Sequence, residues 1–298
     1  MEKYQRIDFR DQIARNKAKS FVLVVIVFIV LILLGYVISR AFDPGYTFFI
    51  MIIAIIFSIF YVLIGFYNSH KIAIASVGAR KADPRINRDY YNLVEGLTLA
   101  SGLPMPELYI MPMKQINAFA SGRDPQHAVV CVSEGAIEKL DRRELEGVLA
   151  HELGHIGNYD MRYMTLVAVM VGMIAIISEI FLRSLWFKGS GDSDNKAQWI
   201  FILIGIVLAI LAPIVVYFVQ LSISRKHEYA ADATAVKFTR YPQGLIGALK
   251  KIKSDYHIDT KDKKVSKAIA PLFFASPFKE LGSTHPDINK RIAALERM

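Results

Sequence analysis

Residues 21–39 read FVLVVIVFIVLILLGYVIS, an uncharged run of 19 residues, and residues 47–67 read TFFIMIIAIIFSIFYVLIGFY, a second such run of 21. A helix rises about 1.5 Å per residue, so each run is long enough to cross about 30 Å of hydrocarbon. A cleavable signal peptide would have a shorter apolar core, so we interpret the first run as a membrane anchor. The two runs indicate a membrane protein.

The composition agrees with a membrane protein. The 298 residues are 53% hydrophobic and 21% charged, and the mean hydropathy is +0.33, which is more apolar than an ordinary soluble domain. The net charge of +9 is typical of basic loops that contact anionic lipid, and without a recognition motif we expect no nucleic-acid partner. The single cysteine, Cys131, has apolar neighbours that favour a buried core thiol.

Two more apolar runs predict a second membrane hairpin. They cover residues 162–182 and 199–221, and the Gly-, Ser- and Asp-rich segment between them is typical of a turn. We therefore predict a membrane α-helical plus α+β fold with about four transmembrane helices. The third and fourth spans, within residues 162–221, are expected to interrupt a cytoplasmic domain.

The basic residues beside the first two spans predict the orientation. Six lysines and arginines precede residue 21 and five lie within residues 68–88, whereas the turn between the spans carries only Arg40. Basic flanks stay in the cytoplasm. Residues 1–67 are thus predicted to form a cytoplasmic N-terminal segment and two spans of a multi-pass cell-membrane protein. Residues 68–161 and 222–298 are predicted to form the two parts of one cytoplasmic domain, so both termini and this domain face the cytoplasm.

The segment 68–161 combines helix and strand patterns. A helix is predicted to begin near Asp141, because its carboxylate can cap the first turn while Glu144 completes a capping box. Apolar stretches bounded by turn residues predict three strands and a preceding helix. The strands are expected at 107–111, 116–120 and 127–132, with a turn at 121–125, and the earlier helix at 87–102.

The helix that begins near Asp141 contains His151-Glu152-Leu153-Gly154-His155, an H-E-x-x-H pattern. Residues four apart lie on one face of a helix, so both imidazoles can bind one Zn²⁺ while Glu152 acts as general base toward water. The alternative is two unrelated histidines on a surface helix, because the pattern also arises by chance. We predict one Zn²⁺ per subunit.

A catalytic zinc site needs a third protein ligand, and Glu228 is the candidate. His155 lies seven residues before the third apolar run and Glu228 seven residues after the fourth, so a membrane hairpin would return Glu228 to the depth of the histidines. Asp232, one helical turn later, can accept the outer N–H of a ligand histidine. The alternative is that both acids form a solvated helix face, and His227 is expected at the surface.

The chain resembles the HtpX-type bacterial membrane metallopeptidases, relatives of the CAAX prenyl endopeptidases of the gluzincin group. The resemblance covers about residues 70–298. It is carried by GLPMPELYI at 102–110, NAFASG at 117–122, the helix 144–160, RKHEYAAD at 225–232 and STHP at 283–286. It implies zinc endopeptidase activity in membrane-protein quality control under stress, with His151, His155 and Glu228 as ligands and Glu152 as base. Ile116 stands where relatives often have proline, which affects only the loop.

Two further residues are candidates for substrate contact. An extended peptide can pair with an edge strand beside the active-site helix, and Asn117 begins the stretch that best fits such an edge. An interior strand is an equal alternative. His285, just before Pro286, can donate to the oxyanion at the scissile carbonyl, or it can cap or pack the helix predicted at 286–296.

These features predict an integral-membrane zinc endopeptidase, in which the third and fourth spans interrupt a zincin-like cytoplasmic protease domain. Its active site is expected to face the cytoplasm and to hydrolyse misfolded or damaged membrane proteins there. Its partners are expected to be protein or peptide substrates and the lipid bilayer. The alternative from another class is a non-catalytic membrane scaffold or carrier with a structural zinc. Structural sites usually have four protein ligands, whereas three are evident here. A protease that cuts within the bilayer would carry its ligands inside the apolar runs, and these ligands lie outside them.

Overall fold

A computed structural model describes residues 9–41, 47–167, 225–255, 273–274 and 286–298, with four isolated positions between 203 and 210. The fold is mostly helical around a small mixed sheet. The helices are α1 (Phe9–Ala41), α2 (Thr47–Ser76), α3 (Arg88–Ser101), α4 (Glu134–Lys139), α5 (Arg142–Gly157), α6 (Arg225–Thr239), α7 (Pro242–Asp255) and α8 (Ile288–Leu295). The strands are β1 (Arg80–Lys81), β2 (Glu107–Met111), β3 (Ala118–Gly122) and β4 (Ala128–Ser133). Residues 160–167 are also helical.

The first two predicted spans lie in α1 and α2, which pack against each other. Both helices extend beyond the uncharged runs. Residues 9–20 add polar turns at the start of α1, and residues 68–76 add further turns at the end of α2. Within the described residues, α2 is the one helix found to be long and apolar enough to cross a membrane, and only 17% of its most apolar window is buried inside the protein. The predicted third and fourth spans fall mostly outside the described residues, so the number of spans stays a prediction.

The sheet has the strand order β1-β2-β4-β3. β2 and β4 are parallel, whereas β1 and β3 pair antiparallel with their neighbours. Alternate residues of β4 face two different cores, one around α5 that takes Val130 and one that takes Cys131 together with residues of α2. Cys131 is therefore the predicted core thiol, and burial raises its pKa far above the usual range.

The predicted strands differ from the observed ones near β3. The prediction of 107–111 is confirmed by β2, but the strand predicted at 116–120 begins only at Ala118. The reason is that the backbone N–H groups of the two preceding residues donate to side chains, Ile116 to Asp255 and Asn117 to Ser133, instead of joining a ladder. Ser121 and Gly122 belong to this strand and not to the predicted turn. Gly122 has a φ of 149°, and a Cβ at this position would overlap the His127 backbone. The strand predicted at 127–132 is β4, one residue later at 128–133. Strand β1 and helix α4 were not predicted, because both are short.

Helix α5 begins as predicted and is the centre of the domain. The Asp141 side chain accepts from the N–H groups of Arg143 and Glu144, each at 2.9 Å, and Glu144 accepts from the Asp141 N–H at 2.8 Å. This reciprocal cap satisfies N–H groups that the first turn leaves free. The helix packs against α3, α6, α7 and β3.

Glycines on α5 allow its neighbours to approach closely. A Cβ on Gly154 would lie 3.3 Å from the Ala231 backbone of α6, and one on Gly147 would lie 2.6 Å from the Leu245 backbone nitrogen of α7. The two helices of residues 225–255 therefore sit directly on α5. This contact brings Glu228 of α6 to the level of the H-E-x-x-H residues.

We expect Gly147→Ala to destabilise the protein by about 1–3 kcal/mol, because the added methyl group would overlap the α7 backbone. Gly96→Ala is the matched control, since Gly96 also lies inside a helix, and no atom stands within 4 Å of the place that its Cβ would take. The control substitution should stabilise by about 0.5–1 kcal/mol. Thermal and denaturant unfolding of both variants in detergent measures the difference. Equal stability of the two would contradict the close packing of α5 on α7.

Candidate metal centre

His151 and His155 lie on consecutive turns of α5 and present their Nε2 atoms to one point, 3.1 Å apart. Both rings are buried, and each is fixed through its other nitrogen. His151 Nδ1 lies 2.9 Å from an oxygen of Asp232, and His155 Nδ1 lies 3.2 Å from an oxygen of Asp160. A carboxylate at Nδ1 accepts the ring N–H, which leaves the Nε2 lone pair for a metal.

Glu228 of α6 completes a set of three donors. One of its oxygens lies 3.7 Å from His151 Nε2 and the other lies 3.6 Å from His155 Nε2. Tetrahedral zinc with bonds of about 2.0–2.1 Å separates its ligand atoms by about 3.3–3.4 Å. The donor separations of 3.1, 3.6 and 3.7 Å are close to this value. The nature and spacing of the donors therefore fit a zinc ion, and all three residues are buried.

Glu152 is buried beside these donors. The backbone of Ala120 in β3 lies close to its carboxylate and favours the charged form, which connects the sheet edge to the site. Burial, with the neighbouring Glu228 carboxylate, raises the pKa of Glu152 to about 7. A carboxyl group whose pKa lies near neutrality can both take and return a proton.

Arg291 of α8 is a site residue that was not predicted from the sequence. Its buried guanidinium donates to Asp232 through Nε at 2.9 Å and through Nη2 at 2.7 Å, and Nη1 lies 3.1 Å from Glu228. Such a two-pronged contact fixes the orientation of the carboxylate as well as its charge. A lone arginine in an amphipathic helix is ordinarily a surface residue, so no local pattern pointed to this role.

Asp160 is the second residue that was not predicted, and it corrects the interpretation of His227. The Asp160 side chain is fully buried between His155 and His227, whose Nδ1 lies 3.3 Å from it. His227 was expected at the surface, but its side chain is only 14% exposed. Burial lowers the pKa of His227. The expectation was wrong because the turn after α5 folds back over α6.

Negative charge exceeds positive charge in the described part of the site. The carboxylates of Glu152, Asp160, Glu228 and Asp232 are buried around the single guanidinium of Arg291. Buried charge without a partner is costly, and a divalent cation would offset most of the excess. Without a cation, these carboxylates act on His155. Burial by itself lowers the pKa of the His155 ring, but the carboxylates of Asp160 and Glu228 outweigh the effect of burial and raise this pKa to about 9.

One of the two predicted substrate contacts is described. Asn117 is buried, and its side-chain oxygen accepts from the Ala118 N–H at 3.0 Å. It precedes β3, which among the described strands lies at an edge of the sheet and not in its interior. The outward-facing Ala118 carbonyl accepts from the Phe274 N–H at 2.7 Å. His285 lies outside the described residues, and the substrate roles of Asn117 and His285 stay predictions.

Comparison with known proteins finds relatives among peptidases. The model of Peptidase family M48 matches residues 84–298. A protease HtpX homolog of Caldanaerobacter subterraneus subsp. tengcongensis is 40% identical over 292 residues, and one of Thermoanaerobacter pseudethanolicus is 41% identical over 295, each match covering 96% of both chains. The crystal structure of S. mikatae Ste24p is similar with a TM-score of 0.48 and 19% identity, over 96% of this chain and 67% of that one. That last likeness is too weak to carry an argument.

The zinc affinity of the metal-free protein should rise with pH up to about 9. The pKa of His155 is raised to about 9, so at neutral pH its ring holds a proton that the metal must displace. Burial lowers the pKa of His151 to about 4, so that ring is already neutral. One displaced proton corresponds to about a tenfold gain in affinity per pH unit below 9.

Competition with a chelator at pH 7, 8 and 9 measures this dependence. Asp160→Asn removes the charge that raises the His155 pKa and keeps the shape, so its affinity should level off at a lower pH. An affinity that is the same at pH 7 and pH 9 in the unsubstituted protein would contradict the raised pKa.

Proposed function

The chain belongs to peptidase family M48 and is a metalloprotease, and from this premise we propose that it is a zinc endopeptidase acting at the cytoplasmic face of a membrane. We assign His151, His155 and Glu228 as the zinc ligands and Glu152 as the general base. The observation that carries the proposal is the joint burial of three donors, 3.1–3.7 Å apart, beside a carboxylate whose pKa is raised to about 7. Three donors leave a fourth position of a tetrahedron for water or substrate.

The proposed mechanism is hydrolysis by activated water. When bound, the zinc ion supplies Lewis-acid polarisation of the scissile carbonyl and makes water more acidic. Glu152 takes the proton from the attacking water and returns it to the leaving amine. Asp160, Asp232 and Arg291 hold the ligand side chains in place before substrate arrives, so that little reorganisation is needed during the reaction.

We propose that the substrate binds as an added strand at β3. The backbone groups of Ala118 and Ala120 lie on the side of β3 that faces away from β4, since those of Asn117, Phe119 and Ser121 face β4. The Ala118 groups already pair with Asn117 and Phe274, so an entering peptide would bind at Ala120 and replace the Phe274 contact. Ala120 also contacts Glu152, so a peptide at this edge would pass the catalytic carboxylate. Backbone pairing accepts many sequences, which suits an enzyme that degrades misfolded proteins.

The membrane setting supports damaged membrane proteins as the substrates. Most of the apolar window of α2 is exposed, as expected for a helix that contacts lipid. We propose four spans with both termini in the cytoplasm, and a role in membrane-protein quality control under stress. A non-catalytic carrier with a structural zinc is disfavoured, because such a site has no need of a buried base at Glu152.

We expect Glu152→Gln to keep zinc and lose peptide hydrolysis by at least about a hundredfold, because an amide cannot accept the proton of water. Glu146→Gln, on the same helix and outside the site, is the matched control and should cleave normally. Glu228→Ala should instead lose zinc, because it removes a donor to the metal. Cleavage of an unfolded model protein and the zinc content of each purified variant are measured together. Hydrolysis by Glu152→Gln at the normal rate would refute the mechanism.

The proposed orientation has its own test. A tag placed after Met298 or at residue 2 should react with a membrane-impermeant label only after the cells are opened, because the basic flanks of the first two spans stay inside. A cysteine on an outer loop of a known membrane protein shows that the label reacts in intact cells, and a cysteine of a cytoplasmic protein shows that the label does not enter them. Labelling of either terminus in intact cells would place the active site on the opposite side.

A further inference from the structure

The cytoplasmic end of α1 contacts the turn that follows α5. Asn16 is 1% exposed, and its side-chain amide donates to the Asn158 carbonyl at 3.1 Å and to Asp160 Oδ1 at 2.6 Å. The Lys17 ammonium lies 4.4 Å from the centre of the Tyr159 ring. Two adjacent residues of α1 therefore hold three consecutive residues of the turn, although more than 140 positions separate them in the chain.

This turn has a backbone that needs support. Tyr159 has a φ of 58°, in the left-handed region that non-glycine residues seldom adopt. Such a conformation persists only where surrounding contacts maintain it. The change of chain direction at Tyr159 turns the Asp160 side chain back toward α5, where its Oδ2 lies 3.2 Å from His155 Nδ1.

We propose that Asn16 is a positioning residue for the metal centre, and that it makes zinc affinity depend on the docking of α1. This inference rests on the proposed role of His155 as a zinc ligand. One N–H of the Asn16 amide orients the Asp160 carboxylate, and the other holds the turn backbone at Asn158. Because the amide is neutral, Asp160 keeps its negative charge for the His155 ring. A lysine at position 16 would compete with that ring for the carboxylate.

Ser20 distinguishes this role from ordinary helix packing. It is also 1% exposed, and it lies one turn after Asn16 on the same helix. Its hydroxyl donates to the Asn16 carbonyl at 2.8 Å, within α1 itself. Substitution at Ser20 therefore changes a buried polar group of α1 without changing the contact to Asp160.

The test uses the full chain in detergent and measures the zinc dissociation constant by chelator competition. Asn16→Ala and Asn16→Leu should each weaken zinc binding about three- to tenfold, less than the roughly 10–100-fold typical of a group that contacts the ligand directly. Ser20→Ala should bind as the unsubstituted protein does. In an Asp160→Ala background, Asn16→Ala should cause no further loss, because the residue acts through Asp160.

Each outcome decides the inference. Asn16→Leu keeps the branching and the number of heavy atoms of the side chain and removes its donors, so normal zinc binding by this variant would show a packing role and overturn the proposal, even where Asn16→Ala unfolds. An additive loss in the Asp160→Ala background would overturn it as well. His155→Ala tests the proposed ligand set separately from the role of Asn16. Normal zinc binding by His155→Ala would refute the ligand set and this inference with it. Loss in His155→Ala with no change in either Asn16 variant defeats this inference alone.

Discussion

Two imidazole rings on one helix are held by carboxylates at their Nδ1 atoms, and much of the fold serves to place those carboxylates. Asp232 comes from α6 and Asp160 from the turn after α5. Each of them is held in turn, Asp232 by Arg291 of α8 and Asp160 by Asn16 of α1. Buried charges are stable only when they are paired and hydrogen-bonded, so elements distant in sequence must converge on α5.

Close backbone contact makes this convergence possible. Gly147 and Gly154 allow α7 and α6 to lie against α5. Gly154 is part of the H-E-x-x-H pattern, and all five residues of that pattern are buried. On the other side, β3 packs against α5 and brings the Ala120 backbone close to Glu152. The same helix is therefore both the core of the domain and the scaffold of the site, which explains why every residue from Gly147 to Ile156 is buried.

The local parts of this arrangement could be predicted from the sequence. The Asp141 cap, strand β2 and the spacing of His151 and His155 depend on neighbours within a few residues, where propensity and periodicity are informative. The proximity of Glu228 to both histidines could be predicted, because the search for a third donor pointed to an acid at the right depth. Arg291 and Asn16 could not, because their contacts cross 59 and 144 positions that no local pattern encodes. Asp160 lies only five residues after His155, but it reaches that ring through the left-handed turn at Tyr159, which helical periodicity does not predict. The start of β3 was misplaced because Asp255 and Ser133 bind the backbone before it.

The guanidinium of Arg291 has a consequence for proton exchange at the centre. Arginine keeps its proton throughout the physiological range, and here the carboxylates around it raise its pKa further. Its positive charge is thus a constant of the site, whereas His155 and Glu152 can each change protonation near neutral pH. Without a metal ion, His155 is accordingly protonated at neutral pH and Glu152 is partly protonated, so the buried carboxylates have positive or neutralised neighbours instead of facing one another as bare charges.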